Sequence, residues 1–115
     1  MTAPHRILIV EDEPLIAMML EDFIDAMGKE CVGTCDTVQS ALATIADESP
    51  DAVILDINLS GGEKSWPVAD ALAERGIPFV FSSGGDEVTD GHAERPRLGK
   101  PYTMDGVEKA LASLG

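Results

Sequence analysis

Ala52-Val53-Ile54-Leu55-Asp56-Ile57-Asn58-Leu59 is the stretch whose reading decides the fold. Four apolar residues run unbroken into one acid, just after the turn signal Ser49-Pro50-Asp51. So short a continuous apolar run reads as a strand buried on both faces, as in a parallel sheet. A carboxylate ending such a strand sits at the sheet rim, where open α/β folds hold their ligands. Asp56 is therefore the candidate reactive group; the alternative is an Asp that merely caps a loop.

Upstream, Arg6-Ile7-Leu8-Ile9-Val10 is a second buried-strand run, and it ends in three acids, Glu11-Asp12-Glu13. Pro14 suits the first position of a helix. Leu15, Ile16, Met19, Leu20, Phe23, Ile24 and Met27 follow helical spacing, and Gly28 closes that helix. Cys31 to Cys35 reads as a short strand. Thr37 is placed to cap a helix carrying Val38, Ala41, Leu42 and Ile45 on one face.

Downstream of Asp56, residues Asn58 to Lys64 form a loop containing Gly61-Gly62. A helix is expected from about Trp66 to Arg75, with Pro67 in its first turn and Gly76 at its end. Ile77-Pro78-Phe79-Val80-Phe81 reads as the fourth strand, leading into Ser82-Ser83-Gly84-Gly85-Asp86. Residues 87 to 94 predict a weak helix. Arg97-Leu98-Gly99 is a poor strand, suited to a sheet edge, and Lys100-Pro101 follows. Thr103 starts a last helix, with Val107, Ala110, Leu111 and Leu114 inward. Strand–helix alternation repeated five times with short connections implies a parallel sheet with helices on both faces.

The 115 residues suit one domain with one core, and a hydrophobic content of 44% is enough to fill it. A net charge of -13 disfavours nucleic acid and anionic membrane as direct partners, both being polyanions. The N-terminus carries no signal-peptide pattern, and no segment approaches membrane-spanning length. Cys31 and Cys35, four apart in a strand, would sit about 13 Å apart, too far for a disulfide. Free thiols suit a reducing cytoplasm.

The first strand end supplies Glu11 and Asp12, the third Asp56, the fourth Ser82 and Ser83, the fifth Lys100. Neighbouring strands lie about 4.8 Å apart, so these groups can converge. Clustered carboxylates repel unless a cation joins them. A site of few carboxylates plus water is what Mg²⁺ prefers. A lysine and a hydroxyl beside it suit a bound anion. A phosphoryl group fits, with Asp56 attacking phosphorus to form an aspartyl-phosphate. Each piece has a plainer reading: Glu13 as an acid favoured at a helix N-terminus, Lys-Pro as a loop, Ser-Ser-Gly-Gly as a turn. Their joint order is what informs.

With these motifs the whole chain, from about Arg6 to Leu114, resembles the response-regulator receiver domains of two-component signalling. The resemblance rests on Ile-Val-Glu-Asp-Glu-Pro after strand one, Val-Ile-Leu-Asp-Ile-Asn-Leu at strand three and Gly-Lys-Pro-Tyr after strand five. It implies a flavodoxin-like, CheY-like (βα)5 three-layer sandwich with a five-stranded parallel sheet in order 2-1-3-4-5. It implies that Asp56 takes a phosphoryl group from a histidine kinase or phosphotransferase. Asp12 and Asp56 would bind Mg²⁺ by side chain, Asn58 by its backbone carbonyl and Glu11 through water. Lys100 would ion-pair with the phosphoryl, its bond to Pro101 would be cis, and Ser83 would be the switch hydroxyl. A narrower resemblance, through Phe81-Ser82-Ser83-Gly84 and Pro67-Val68-Ala69-Asp70-Ala71-Leu72, is to the FAT GUY regulators. These are associated with HWE/HisKA2 kinases and alphaproteobacterial general stress signalling.

Two positions depart from the receiver pattern. Arg97 stands where receivers usually carry an inward-turning Tyr or Phe, which puts the usual hydroxyl–aromatic coupling in doubt. Gly84 and Gly85 follow the switch serine and loosen the backbone there. His5 and His92 read as solvated side chains rather than phosphoryl donors. Trp66 reads as packing at the start of its helix, and Tyr102 as a partner contact or a lid over the sheet edge.

The expectation is a single receiver domain over residues 1–115 with no output module, cytoplasmic and not an enzyme beyond its own phosphorylation and dephosphorylation. It would signal by protein binding through the face of the weak fourth helix, fifth strand and last helix, or act as a phosphate sink for a kinase. An Asp-nucleophile phosphatase is disfavoured because Asn58 stands where such enzymes need a second acid. A flavin binder is disfavoured because a triple acid, not a glycine-rich phosphate loop, follows the first strand.

Overall fold

The computed structural model describes residues 5–83, 97–99 and 103–112, with residues 60, 83 and 97–99 described by backbone alone. Five strands are assigned: β1 (Arg6–Val10), β2 (Glu30–Cys35), β3 (Ala52–Asp56), β4 (Phe79–Ser83) and β5 (Arg97–Gly99). The helices are α1 (Pro14–Ala26), α2 (Val38–Glu48), α3 (Trp66–Arg75) and α4 (Met104–Ala112). All strand pairs are parallel, in the order β2-β1-β3-β4-β5, which leaves the three-residue β5 at an edge.

The central strands β1, β3 and β4 are buried on both faces because successive side chains alternate between two helical layers. Leu8, Val10, Val53, Leu55, Phe79 and Phe81 face α2 and α3, meeting Ala41, Ile45, Val68, Ala69 and Leu72. Ile7, Ile9, Ala52, Ile54 and Val80 face α1 and α4, meeting Leu20, Ile24, Val107 and Leu111. Phe81 meets Phe79 and Trp66 in T-shaped contacts, with ring centroids 5.3 Å and 5.7 Å apart, so the only tryptophan packs at the head of α3 as expected.

Local chemistry sets the helix ends. Thr37 Oγ1 accepts from the Ser40 N–H and Ser40 Oγ accepts from the Thr37 N–H, a reciprocal cap on α2. Pro14 opens α1 and Pro67 lies in the first turn of α3. Gly28 (φ 75°) and Gly76 (φ 69°) turn the chain after α1 and α3 in the left-handed region that glycine enters without penalty. At the opposite end of the sheet from the acids, Asp51 Oδ2 accepts from the backbone N–H groups of His5 (3.1 Å) and Arg6 (2.9 Å). Arg6 in turn pairs with Glu48 at 2.9 Å. Cys31 and Cys35 are both free, and burial pushes the Cys31 thiol pKa up.

Four expectations need correction. The fourth strand starts at Phe79, not Ile77: Pro78 has no N–H to offer the ladder, and only its carbonyl is used, by the Val53 N–H. Ser82 and Ser83 lie inside β4 rather than beyond it, because the ladders run on through them, Ser82 opposite Asp56 and Ser83 opposite Gly99. Leu15 is 77% exposed, because it sits five residues before Leu20 and so faces away from the stripe of Ala17, Leu20 and Ile24. Leu42 likewise lies at the exposed margin of α2, outside its buried pair Ala41 and Ile45. The expected helix over 87–94, together with Gly84, Gly85, His92, Lys100, Pro101, Tyr102 and Leu114, lies outside the described residues.

Candidate functional site

At the C-terminal ends of the central strands β1 and β3 the chain brings three carboxylates together. Glu11 follows β1 directly, and its N–H extends the β1–β2 ladder by bonding the Cys35 carbonyl at 2.8 Å. That bond fixes Glu11 at the rim, 3% exposed. Its Oε2 accepts from the Glu13 N–H at 3.2 Å, filling one of the open donors ahead of α1. Asp12 is half-buried, and Glu13 is exposed at the N-cap position of α1, where a helix favours negative charge. Asp56 closes β3 and is 4% exposed.

Glu11, Asp12 and Asp56 each present a carboxylate oxygen to one point, these oxygens lying within 4.8 Å of one another. Two of the three groups are buried, so solvent screens their repulsion poorly. An all-oxygen, multiply anionic cup of this size fits a hard divalent cation, which would offset the repulsion. Beside it lies a shallow cavity of about 250 Å³, lined by Glu11, Asp12, Ala17, Thr34, Cys35 and Asp36.

The loop after Asp56 is pinned from several sides. The Ser65 N–H bonds the Ile57 carbonyl at 2.9 Å, and the Leu59 N–H bonds the Glu63 carbonyl at 2.7 Å. Asn58 forms an antiparallel bridge with Lys64, whose Nζ donates to Asn58 Oδ1. Glu63 Oε1 accepts from the Val38 N–H at 2.9 Å, tying this loop to the start of α2. Sequence reasoning missed this tie; the acid at 63 in a loop carried no signal that its partner would be an open amide twenty-five residues earlier.

Ser82 pairs with Asp56 in the β3–β4 ladder, and Ser83 pairs with Gly99 in the β4–β5 ladder. Ser82 is 1% exposed, and its Oγ has no hydrogen-bond partner among the described residues. Of the expected site residues, Glu11, Asp12 and Asp56 therefore converge, Asn58 lies in the adjoining loop, and the backbones of Ser83 and Arg97 lie in β4 and β5. Lys100, Pro101, Gly84 and Gly85 lie outside the described residues. No helix among the described residues is long and apolar enough to cross a membrane.

Residues 7–92 match the family model described as the response regulator receiver domain. The chain is similar to the phyllosphere-induced regulator PhyR of Methylorubrum extorquens, 40% identical over 113 residues, covering 93% of this chain and 42% of that protein. It spans under half the length of that curated relative. Among solved structures it is similar to SdrG from Sphingomonas melonis Fr1, at 62% identity and a TM-score of 0.87, covering 99% of this chain and 98% of that one. The BeF3-activated conformation of SdrG, from Pseudomonas melonis Fr1, matches with 63% identity over 99% of this chain and 98% of that one, at a TM-score of 0.83. A PhyR stress response regulator matches at 26% identity and a TM-score of 0.83, covering 98% of this chain and 45% of that one.

Proposed function

The chain belongs to the response-regulator receiver family, and from that premise we propose that Asp56 is its phosphoacceptor. The observation that carries the reading is the convergence of Glu11, Asp12 and Asp56 from two separate strand ends. Attack by an Asp56 oxygen on phosphorus forms the acyl-phosphate bond and breaks the donor's bond to phosphorus, the electron pair leaving with the donor. Phosphoryl transfer asks mainly for positioning and charge neutralisation, and those are what the cup offers.

Mg²⁺, when bound, neutralises phosphoryl oxygens. Asp12 and Asp56 would hold it by side chain, Asn58 by its backbone carbonyl and Glu11 through water. In this reading Lys100 pairs with the phosphoryl and Ser83 supplies the switch hydroxyl. The phosphoryl comes from a histidine kinase or phosphotransferase, and the FAT GUY resemblance of Phe81-Ser82-Ser83-Gly84 favours the HWE/HisKA2 kind. Similarity to a PhyR stress response regulator supports a place in general stress signalling. The signal leaves by protein binding at the face that includes β5 and α4.

The test is beryllofluoride, which mimics a phosphoryl on a carboxylate. In Mg²⁺ it is expected to shift the amide resonances of Glu11, Asp12, Asp56 and Ser83, by analogy with the activated conformation known for SdrG. An unchanged spectrum at saturating beryllofluoride and Mg²⁺ would refute the proposal.

A further inference from the structure

We infer that Ser82 is a positioning residue for Asp56, a hydroxyl distinct from that of Ser83. The inference rests on the reading of Asp56 as phosphoacceptor and adds to it. Ser82 stands directly opposite Asp56 in the β3–β4 ladder. Two residues earlier in the same register, Ile54 and Val80 both lie in the core under α1 and α4. Strand side chains repeat with period two, so Asp56 and Ser82 share that same face on strands about 4.8 Å apart.

Ser82 is 1% exposed and its Oγ has no hydrogen-bond partner among the described residues. A buried hydroxyl without a partner destabilises a fold, whereas alanine would occupy the position without that penalty. The polar atom is thus held in reserve beside the one carboxylate that faces it across the ladder. During transfer one Asp56 oxygen bonds phosphorus, and the donor departs with the electrons of its broken bond. Ser82 keeps its proton throughout. Its O–H donates to the Asp56 oxygen that does not attack, and so aligns the one that does. The resting fold lacks this bond, so its energy is realised on the way to the transition state and raises the rate rather than the affinity.

The test uses the full chain with acetyl phosphate and Mg²⁺, following Asp56 labelling by intact mass. Ser82→Ala and Ser82→Cys are compared with Ser82→Thr, which retains a hydroxyl. The expected result is a maximal labelling rate about tenfold lower in the Ala and Cys variants, one hydrogen bond's worth, with the half-saturating donor concentration unchanged. Ser82→Thr is expected to recover most of the rate, and Ser82→Ala to melt no lower than the parent chain. A labelled parent with Ser82→Ala labelled at the same maximal rate overturns the role of Ser82 alone. So does a rate loss in Ser82→Ala that Ser82→Thr fails to recover, or one that comes with a raised half-saturating concentration. A parent chain that takes no label overturns the reading of Asp56 and this inference with it.

Discussion

Glu63 accepts a hydrogen bond from the backbone N–H of Val38 at 2.9 Å, so the loop that follows Asp56 caps the helix that precedes β3. The bond joins two parts of the chain twenty-five residues apart across the rim of the sheet. It completes what the Thr37–Ser40 cap leaves open, since that cap serves the third amide of α2 and Glu63 serves the first. Glu63→Ala is expected to lower stability by about 0.5–1 kcal/mol, as lost helix caps do. Glu63→Gln keeps an acceptor but loses the charge that the helix N-terminus favours, so it should fall in between. Urea unfolding of the three proteins measures both, and equal stability of Glu63→Ala and the parent would refute the cap.

Thr37 carries the other half of that cap. Thr37→Ala is expected to cost about 1 kcal/mol, and Thr37→Ser to cost much less because the accepting oxygen remains. The effects of Thr37→Ala and Glu63→Ala should fall short of additive, since both act on the first turn of α2. A double-mutant cycle in urea decides it.

Asp51 links pH to stability. Its carboxyl sits below the ordinary carboxylate range because the Arg6 N–H bonds it, which together with the His5 N–H and the charge of Arg6 outweighs the opposing effect of burial. A depressed folded-state pKa gives stability that is fully present above the unfolded value of about 3.9. That stability is lost as pH falls through the lower folded value. The group is exposed, so the effect is small. The parent should therefore exceed Asp51→Asn in stability at neutral pH, with the gap closing as pH drops below the Asp51 pKa. A gap that persists unchanged in acid would contradict this.

Metal linkage follows from the carboxylate cup. Mg²⁺ binding the folded state alone raises the melting temperature with concentration, by about 2.7 kcal/mol of stability at a hundred times the dissociation constant. Asp12→Asn and Asp56→Asn remove a ligand and should flatten that rise. Calorimetry with and without chelator reads both effects.

Leu15 and Leu20 test how α1 lies on the sheet. Leu20 is fully buried, and Leu20→Ala should cost about 2–5 kcal/mol. Leu15 is 77% exposed, and Leu15→Ser should change stability by no more than about 0.5 kcal/mol. Similar losses at the two positions would mean that the helix is rotated from the orientation described.

These two leucines also mark where sequence reading stops. Strands as apolar as Ile7–Val10 and Ala52–Leu55 announce themselves, because burial on both faces leaves no polar alternation. Helix ends marked by Thr37, Pro14 and Gly76 were legible because each residue has a local reason to be there. Leu15 and Ile16 both fit the helical spacing of the apolar residues; only the angle set by Leu20 and Ile24 tells which of the two faces the sheet. The sequence starts the fourth strand two residues early because Ile77 is as strand-like as Phe79, while the missing N–H of Pro78 matters only against a neighbour. At the site, the residue types and their order along the chain were legible. The register that sets Ser82 against Asp56, and the reach of Glu63 to Val38, depend on strand pairing and loop path, which one sequence does not contain.

The measurement that bears most directly on Asp56 is intact-mass analysis after acetyl phosphate treatment in Mg²⁺, with the parent chain and Asp56→Asn side by side. The parent should gain one phosphoryl group, lose it when Mg²⁺ is chelated beforehand, and Asp56→Asn should gain none. Stoichiometric, persistent labelling of Asp56→Asn would contradict the assignment.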